Sequence, residues 1–194
     1  MGELFDRAVK FAVEAHAGQL RKDGSIYILH PLEDAAIVGT LTQDEEVIAA
    51  AVLHDTIEDT SVTEDDILEQ FGPEVAKLVA HETERSMSDM TRTESWRIRK
   101  ESSLELLRDT DDIRVKILWL GDKLSNMRAL ARDYAKLGQD VFDRFHAKDP
   151  LLHHWYYTTI RDYLSELCDT AAFKEYCALI DCVFNDISGR VSDE

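Results

Sequence analysis

Proline and glycine are scarce in this chain, three and eight in 194 residues. So few turn-forming residues argue against a sandwich of many short strands. With 44% hydrophobic and 31% charged residues, they predict amphipathic helices and an all-α fold. Basic residues are the second shortage: 22 Lys and Arg face 39 Asp and Glu, a net charge of −17. That field repels polyanions, so a nucleic acid polymer is not an expected partner. A small anion binds only where clustered cations reverse the potential locally, and Arg21, Lys22, Lys123, Arg128 and Arg132 are the candidates. Cys168, Cys177 and Cys182 are odd in number and lack C-x-x-C spacing, which predicts reduced thiols packed in a cytoplasmic protein. No stretch approaches the roughly 18 uninterrupted apolar residues of a membrane span, and the first residues show no basic, apolar leader, so no membrane is expected. The length suits one domain over residues 1–194, with a core at about 3–134 and further helices at about 135–186 packed on it.

Leu4, Phe5, Ala8, Val9, Ala12 and Val13 recur at helical spacing and predict a helix over about 3–17, stopped near Gly18. His30-Pro31 opens a second, to about Leu41, with Pro31 suited to a first turn. Thr42-x-x-Glu45 reads as a capping box for a third, carrying His54 near its end. Thr63 to Asp66 offers another N-cap, and Gly72-Pro73 restarts a helix through Val79. Residues 84–93 have no apolar period and read as a mobile loop that closes over the site. Helical spacing resumes over about 94–108. A long helix to about Tyr134 then carries Ile113, Ile117, Leu120, Leu124 and Met127 as a buried stripe, with Asp122 and Asn126 one turn apart on one face. Two further helices follow, the first bearing Trp155, Tyr156 and Tyr157, an aromatic run more often core than base-stacking.

Four ionisable groups crowd one and a half turns in His54-Asp55-Thr-Ile-Glu58-Asp59, directly after an apolar Ala-Ala-Ala-Val-Leu run. Burying three carboxylates so closely costs several kcal/mol unless a cation joins them. Two imidazoles, His30 and His54, with Asp55 and Asp122 would make a cage for a divalent cation such as manganese, iron or zinc. Glu58 and Asp59 add acids able to position or deprotonate a water, and the set suggests hydrolysis of a phosphate ester. The bland alternatives are a solvated acidic helix end for residues 54–59 and a core or capping histidine for His30. His16 reads equally as support for a ligand or as a helix-end histidine. His81, His146, His153 and His154 lack acids at ligand spacing and read as surface or packing residues.

Arg21-Lys22-x-Gly24-x-x-Tyr27-x-x-His30-Pro31 resembles the R-K-x-G-x-x-Y-x-x-H-P element of the hydrolase half of RelA/SpoT proteins, HD-superfamily enzymes that degrade the alarmones ppGpp and pppGpp. Ala-His16-Ala-Gly-Gln19 is similar to that family's A-H-x-G-Q, residues 54–59 to its H-D-x-x-E-D, and residues 71–75 to its F-G-x-E-V. Gly121-Asp-Lys-Leu-Ser-Asn-Met-Arg128 is similar to its A-D-R-L-H-N-M-R. The matches keep the family's order over about residues 5–130. They imply an HD-type helical bundle in which His30, His54, Asp55 and Asp122 hold one Mn²⁺ and Glu58 and Asp59 activate the attacking water. Arg21 and Lys22 then meet the substrate, and Asn126 lies near its nucleoside. Gly121, Lys123 and Ser125 depart from the family's Ala, Arg and His, which implies altered nucleotide contacts. The resemblance implies a standalone (p)ppGpp 3′-pyrophosphohydrolase. The alternatives are an HD phosphohydrolase of another phosphorylated nucleotide and a noncatalytic nucleotide-binding module.

Overall fold

The computed structural model describes residues 2–83, 90–91 and 93–188. Among them the elements are helical apart from one isolated antiparallel bridge, Leu20 to Ile26. The helices are α1 (Glu3–Ala15), α2 (Leu29–Leu41), α3 (Glu45–Leu53), α4 (Thr56–Asp59), α5 (Glu64–Phe71), α6 (Pro73–Glu82), α7 (Trp96–Asp109), α8 (Ile113–Leu137), α9 (Pro150–Tyr163) and α10 (Ala171–Ser188). Short 3₁₀ segments, Gly138–Arg144 and Ser165–Leu167, connect α8 to α9 and follow α9; the periodicity did not reveal them. No described helix is long and apolar enough to cross a membrane.

The chain resolves into two compact units, Met1–Glu84 with Thr110–Ser125, and Arg85–Asp109 with Asn126–Glu194. In the first, α3 is central and packs against α1, α2 and α6. Val47 and Ala49 to Leu53 are all fully buried, so this short helix is apolar all round and not striped. In α8, residues 115–122 are likewise all buried, whereas Ile113 is 42% exposed and leaves the expected stripe. The second unit packs α7 and α10 on α9. His153 is buried there, bonded to Ala147 O at 2.7 Å and ringed by Trp96, Phe142 and Phe145. Tyr156 is core, while Trp155 lies under the Arg97 guanidinium. Cys168 and Cys182 are exposed, so the expected packing role fails for both, and the three thiols are free.

One cap differs from expectation. The N-cap of α3 is Asp44, whose carboxylate accepts from Glu46 N at 3.0 Å, and Thr42 instead accepts from Asp44 N. Glu45 does not return to Thr42: its Oε1 accepts from Gly2, Leu4 and Phe5 N at the start of α1. Those backbone donors, Phe5 first, hold its carboxyl below the ordinary value, as a helix N-terminus does for an anion. Thr63 and Asp66 do form the reciprocal capping box at α5. The lid expected at residues 84–93 falls largely on residues outside those described.

Candidate metal centre

His54 and Asp55 are neighbours, and on an unbroken helix their side chains would diverge by roughly 100°. The chain avoids this by ending α3 at Leu53 and restarting at Thr56, with Asp55 at φ −89°, ψ −6°. Both side chains then meet His30, from the first turn of α2, and Asp122, from the buried stretch of α8. His30 Nε2 lies 3.1 Å from Asp122 Oδ1 and 3.6 Å from Asp55 Oδ2. His54 Nε2 lies 3.1 Å from Asp55 Oδ2 and 3.6 Å from Asp122 Oδ1. Donors sharing an ion at tetrahedral or octahedral angles sit roughly 2.8–3.6 Å apart, so this spacing suits a small divalent cation. Ligand atoms of His30, His54 and Asp122 all fall within 4.8 Å of one another, and all three residues are buried.

The hydrogen bonds behind the imidazoles set their tautomers. His54 Nδ1 lies 2.8 Å from Ala51 O, an acceptor only, so Nδ1 carries the proton; the buried Nε2 has no hydrogen-bond partner. His30 Nδ1 lies 2.8 Å from Ser125 Oγ, which itself donates to Glu33 Oε2 at 2.8 Å. In the neutral rings both Nε2 atoms then present lone pairs to the carboxylates, an arrangement that repels unless a positive charge lies between them. Without a cation, a proton on His54 supplies that charge. Burial opposes a charge on His54, yet Asp55, Asp122 and Asp34 outweigh it and hold its pKa well above the imidazole value. Burial pushes the Asp55 and Asp122 carboxyls up, but His54 and Lys123 respectively lead the groups that hold them below the usual range. For His30 burial wins, and its pKa falls. A cation fits this donor set.

Around the ligands, Tyr27 OH lies 2.7 Å from Asp55 Oδ2 and 2.5 Å from Asp59 Oδ2. Burial, then Asp55 and Asp59, push its pKa far up, so it stays a donor shared between two carboxylates. The Tyr27 ring stacks on His16, whose Nδ1 meets Gln19 Oε1 at 2.8 Å, and Gln19 Nε2 donates to Asp59 O at 2.7 Å. The A-H-x-G-Q element thus ties the loop to α4. Glu58 and Asp59 lie half-buried on that helix. Arg21 and Lys22 lie on the turn over residues 19–27, closed by Arg21 N to Ser25 O at 2.8 Å; Arg21 is half-buried and Lys22 exposed. Asn126 lies half-buried on α8, one residue beyond the unit that holds the other candidates.

Two expected cations already have acid partners. Lys123 pairs with Asp122, lies 3.6 Å from Glu82 Oε2, and sits over the Trp119 ring at 4.5 Å. Arg128 makes a two-pronged pair with Glu175 within the second unit. Sequence reasoning missed Glu33, Asp34 and Glu82. Burial lifts the Glu82 carboxyl to about 7 despite Lys123, and lifts Asp34 well above the carboxylate range despite His54. No periodic signal distinguishes such buried acids from surface ones, and Asp34 shows only as an acid amid the apolar residues of α2.

Known proteins fit this geometry. A family model described as HD domain matches residues 8–151. A GTP pyrophosphokinase of Myxococcus xanthus is 37% identical over 147 residues, 73% of this chain and 19% of that protein. A protein of Aquifex aeolicus named guanosine-3′,5′-bis(diphosphate) 3′-pyrophosphohydrolase is 41% identical over 128 residues, 66% of this chain and 18% of that protein. The chain thus spans about a fifth of the length of these curated relatives. Among solved structures, a metazoan ortholog of SpoT described as hydrolyzing ppGpp superposes with a TM-score of 0.71 at 25% identity, covering 95% of this chain and 96% of that one. A protein of Listeria monocytogenes gives 0.66 at 33% identity over 80% and 94%. With the start of α2 delivering His30, the α3–α4 joint the His54-Asp55 pair and the middle of α8 Asp122 to one point, and with that model matching most of its length, the chain belongs to the HD-domain family.

Proposed function

We propose that this chain is a metal-dependent phosphohydrolase that removes the 3′-diphosphate of guanosine tetra- or pentaphosphate, using one divalent cation, Mn²⁺ first, held by His30, His54, Asp55 and Asp122. The observation that carries the reading is the convergence of the His30 and His54 Nε2 atoms on Asp55 and Asp122 oxygens at 3.1–3.6 Å, with both histidines and Asp122 buried. The names of the Aquifex relative and the metazoan neighbour support the substrate. The bound cation would neutralise charge developing on the phosphoryl oxygens and make a water easier to deprotonate. Glu58 takes the proton of the attacking water, and Asp59, held by the Tyr27 hydroxyl, fixes the geometry of that turn. Tyr27 also restrains Asp55, so one hydroxyl couples the ligand to the acid helix. Arg21 and Lys22 meet the phosphates and Asn126 the nucleoside side. Local cations thereby overcome a net charge of −17.

A second reading, an HD phosphohydrolase of another phosphorylated nucleotide, draws on Lys123 and Arg128, whose charges are matched by Asp122, Glu82 and Glu175. Incubation of purified protein with ppGpp and Mn²⁺ separates the two. GDP plus pyrophosphate, lost on chelation, is expected. Intact ppGpp alongside hydrolysis of other nucleotides would select the second.

A further inference from the structure

Two consecutive acids of α2, Glu33 and Asp34, lie behind the two imidazoles. Ser125 Oγ donates to Glu33 Oε2 at 2.8 Å and lies 2.8 Å from His30 Nδ1. A hydroxyl has one proton, and giving it to the carboxylate leaves the oxygen to accept from the ring. Only the tautomer with its lone pair on Nε2 satisfies that chain. Asp34 serves the other ring, its Oδ2 lying 3.3 Å from His54 Nδ1. Its side chain is fully buried and neither oxygen has a hydrogen-bond partner of ordinary geometry, an expensive placement for a group with only a packing role.

Asp34 has room because residue 121 is glycine. A Cβ there would overlap Asp34 Oδ1 and lie 2.6 Å from Val38 Cγ2. Gly121 and Ser125 are two of the positions at which α8 departs from the RelA/SpoT motif. One admits Asp34, and the other links Glu33 to His30. The departures pair with the two acids, one for each imidazole.

We infer that Glu33, through Ser125, and Asp34, beside the Nδ1 that also meets Ala51 O, are positioning residues for the cation: they help hold His30 and His54 with Nε2 turned inward. This rests on the proposed metal site and is independent of the substrate. Partners of this kind behind metal-binding histidines are typically worth roughly 10–100-fold in metal affinity.

The test is calorimetric titration of Mn²⁺ alone into the whole chain, with a melting curve for each variant. Asp34→Asn and Ser125→Ala are each expected to weaken binding by about 10–100-fold while melting cooperatively. Glu33→Gln, at a half-buried position, weakens it as well. The double variant Ser125→Ala/Glu33→Gln binds no more weakly than Ser125→Ala, because both substitutions cut one relay. Unchanged affinity in Asp34→Asn and Ser125→Ala, additive losses in the double variant, or a wild type that binds no Mn²⁺ overturns the inference. A wild type that binds Mn²⁺ and leaves ppGpp intact defeats the substrate reading alone.

Discussion

Gly121→Ala is a small substitution with opposed consequences. In an exposed helix it would stabilise by about 0.8–1.0 kcal/mol, because alanine loses less backbone entropy than glycine. Here the added methyl overlaps Asp34 Oδ1 and lies 2.6 Å from Val38 Cγ2, against ordinary contact distances of roughly 3.4–4 Å. Val38 and Asp34 are both fully buried, so neither has solvent to retreat into. Overpacking of this kind costs about 1–3 kcal/mol, and overlap with two buried groups places it near the upper end. The net expectation is destabilisation by about 1–2 kcal/mol, read by urea denaturation of the chelated protein. The same substitution in an Asp34→Ala background should cost less, with a coupling energy of at least about 0.5 kcal/mol. Equal or greater stability of Gly121→Ala, or strict additivity with Asp34→Ala, would refute the placement of Asp34 against Gly121.

The remaining expectations concern the site. Asp55→Ala abolishes stoichiometric Mn²⁺ binding, whereas Glu58→Ala retains the cation and lowers kcat by about 10²–10⁴-fold, the usual worth of a general base; metal retained in Asp55→Ala, by elemental analysis, counts against the ligand set. Tyr27→Phe removes a donor shared by Asp55 and Asp59, a hydrogen bond to charge worth about 1.5–3 kcal/mol, and should slow turnover roughly ten- to a hundredfold; an unchanged kcat in metal-loaded protein shows that Asp55 and Asp59 hold their positions without it. In the chelated protein, Glu82 and His54 each make stability fall with rising pH and together outweigh His30, whose lowered value adds stability as pH rises toward 6.5. Glu82, lifted to about 7 from 4.5, binds more protons folded than unfolded across that interval, so its stabilising protonation is lost as pH climbs through it. His54, raised above 6.5, contributes stability that is complete below 6.5 and vanishes as pH passes its folded value, the same direction. Mn²⁺ needs deprotonated ligands, so its gain in melting temperature grows from pH 5 to 8; a flat profile in thermal melts with and without Mn²⁺ contradicts both statements.

Much of the helical plan was legible locally. The 3.6-residue period located α1 and α8, Pro31 and Pro73 marked the early turns of α2 and α6, and Thr63 with Asp66 declared a cap, because each signal is complete within a few residues. The apolar run before His54 marked a buried segment, and the order of the RelA/SpoT-like motifs supplied the residues that the structure gathers. Where two local signals competed, at Thr42 and Asp44, the outcome depended on Glu45 being taken by the start of α1, a partner some forty residues away. Likewise, residues 47–53 of α3 are apolar on every face and residues 115–122 of α8 are buried on every face, Lys116 and Asp122 included, so periodicity did not tell which face would meet which neighbour.

By itself, the amino-acid order determined an all-helical chain and which histidines and acids were candidates, since spacing and composition act along the backbone. Tertiary structure alone decided that the chain breaks between Leu53 and Thr56 to turn His54 and Asp55 to one point, that Ser125 and Glu33 orient His30, and that Gly121 leaves space for Asp34. Those outcomes depend on distances between α2, the α3–α4 joint and α8. Hydrogen bonding and exclusion of overlapping atoms act through space, and residues 20 to 95 positions apart carry no mark of that proximity in their order.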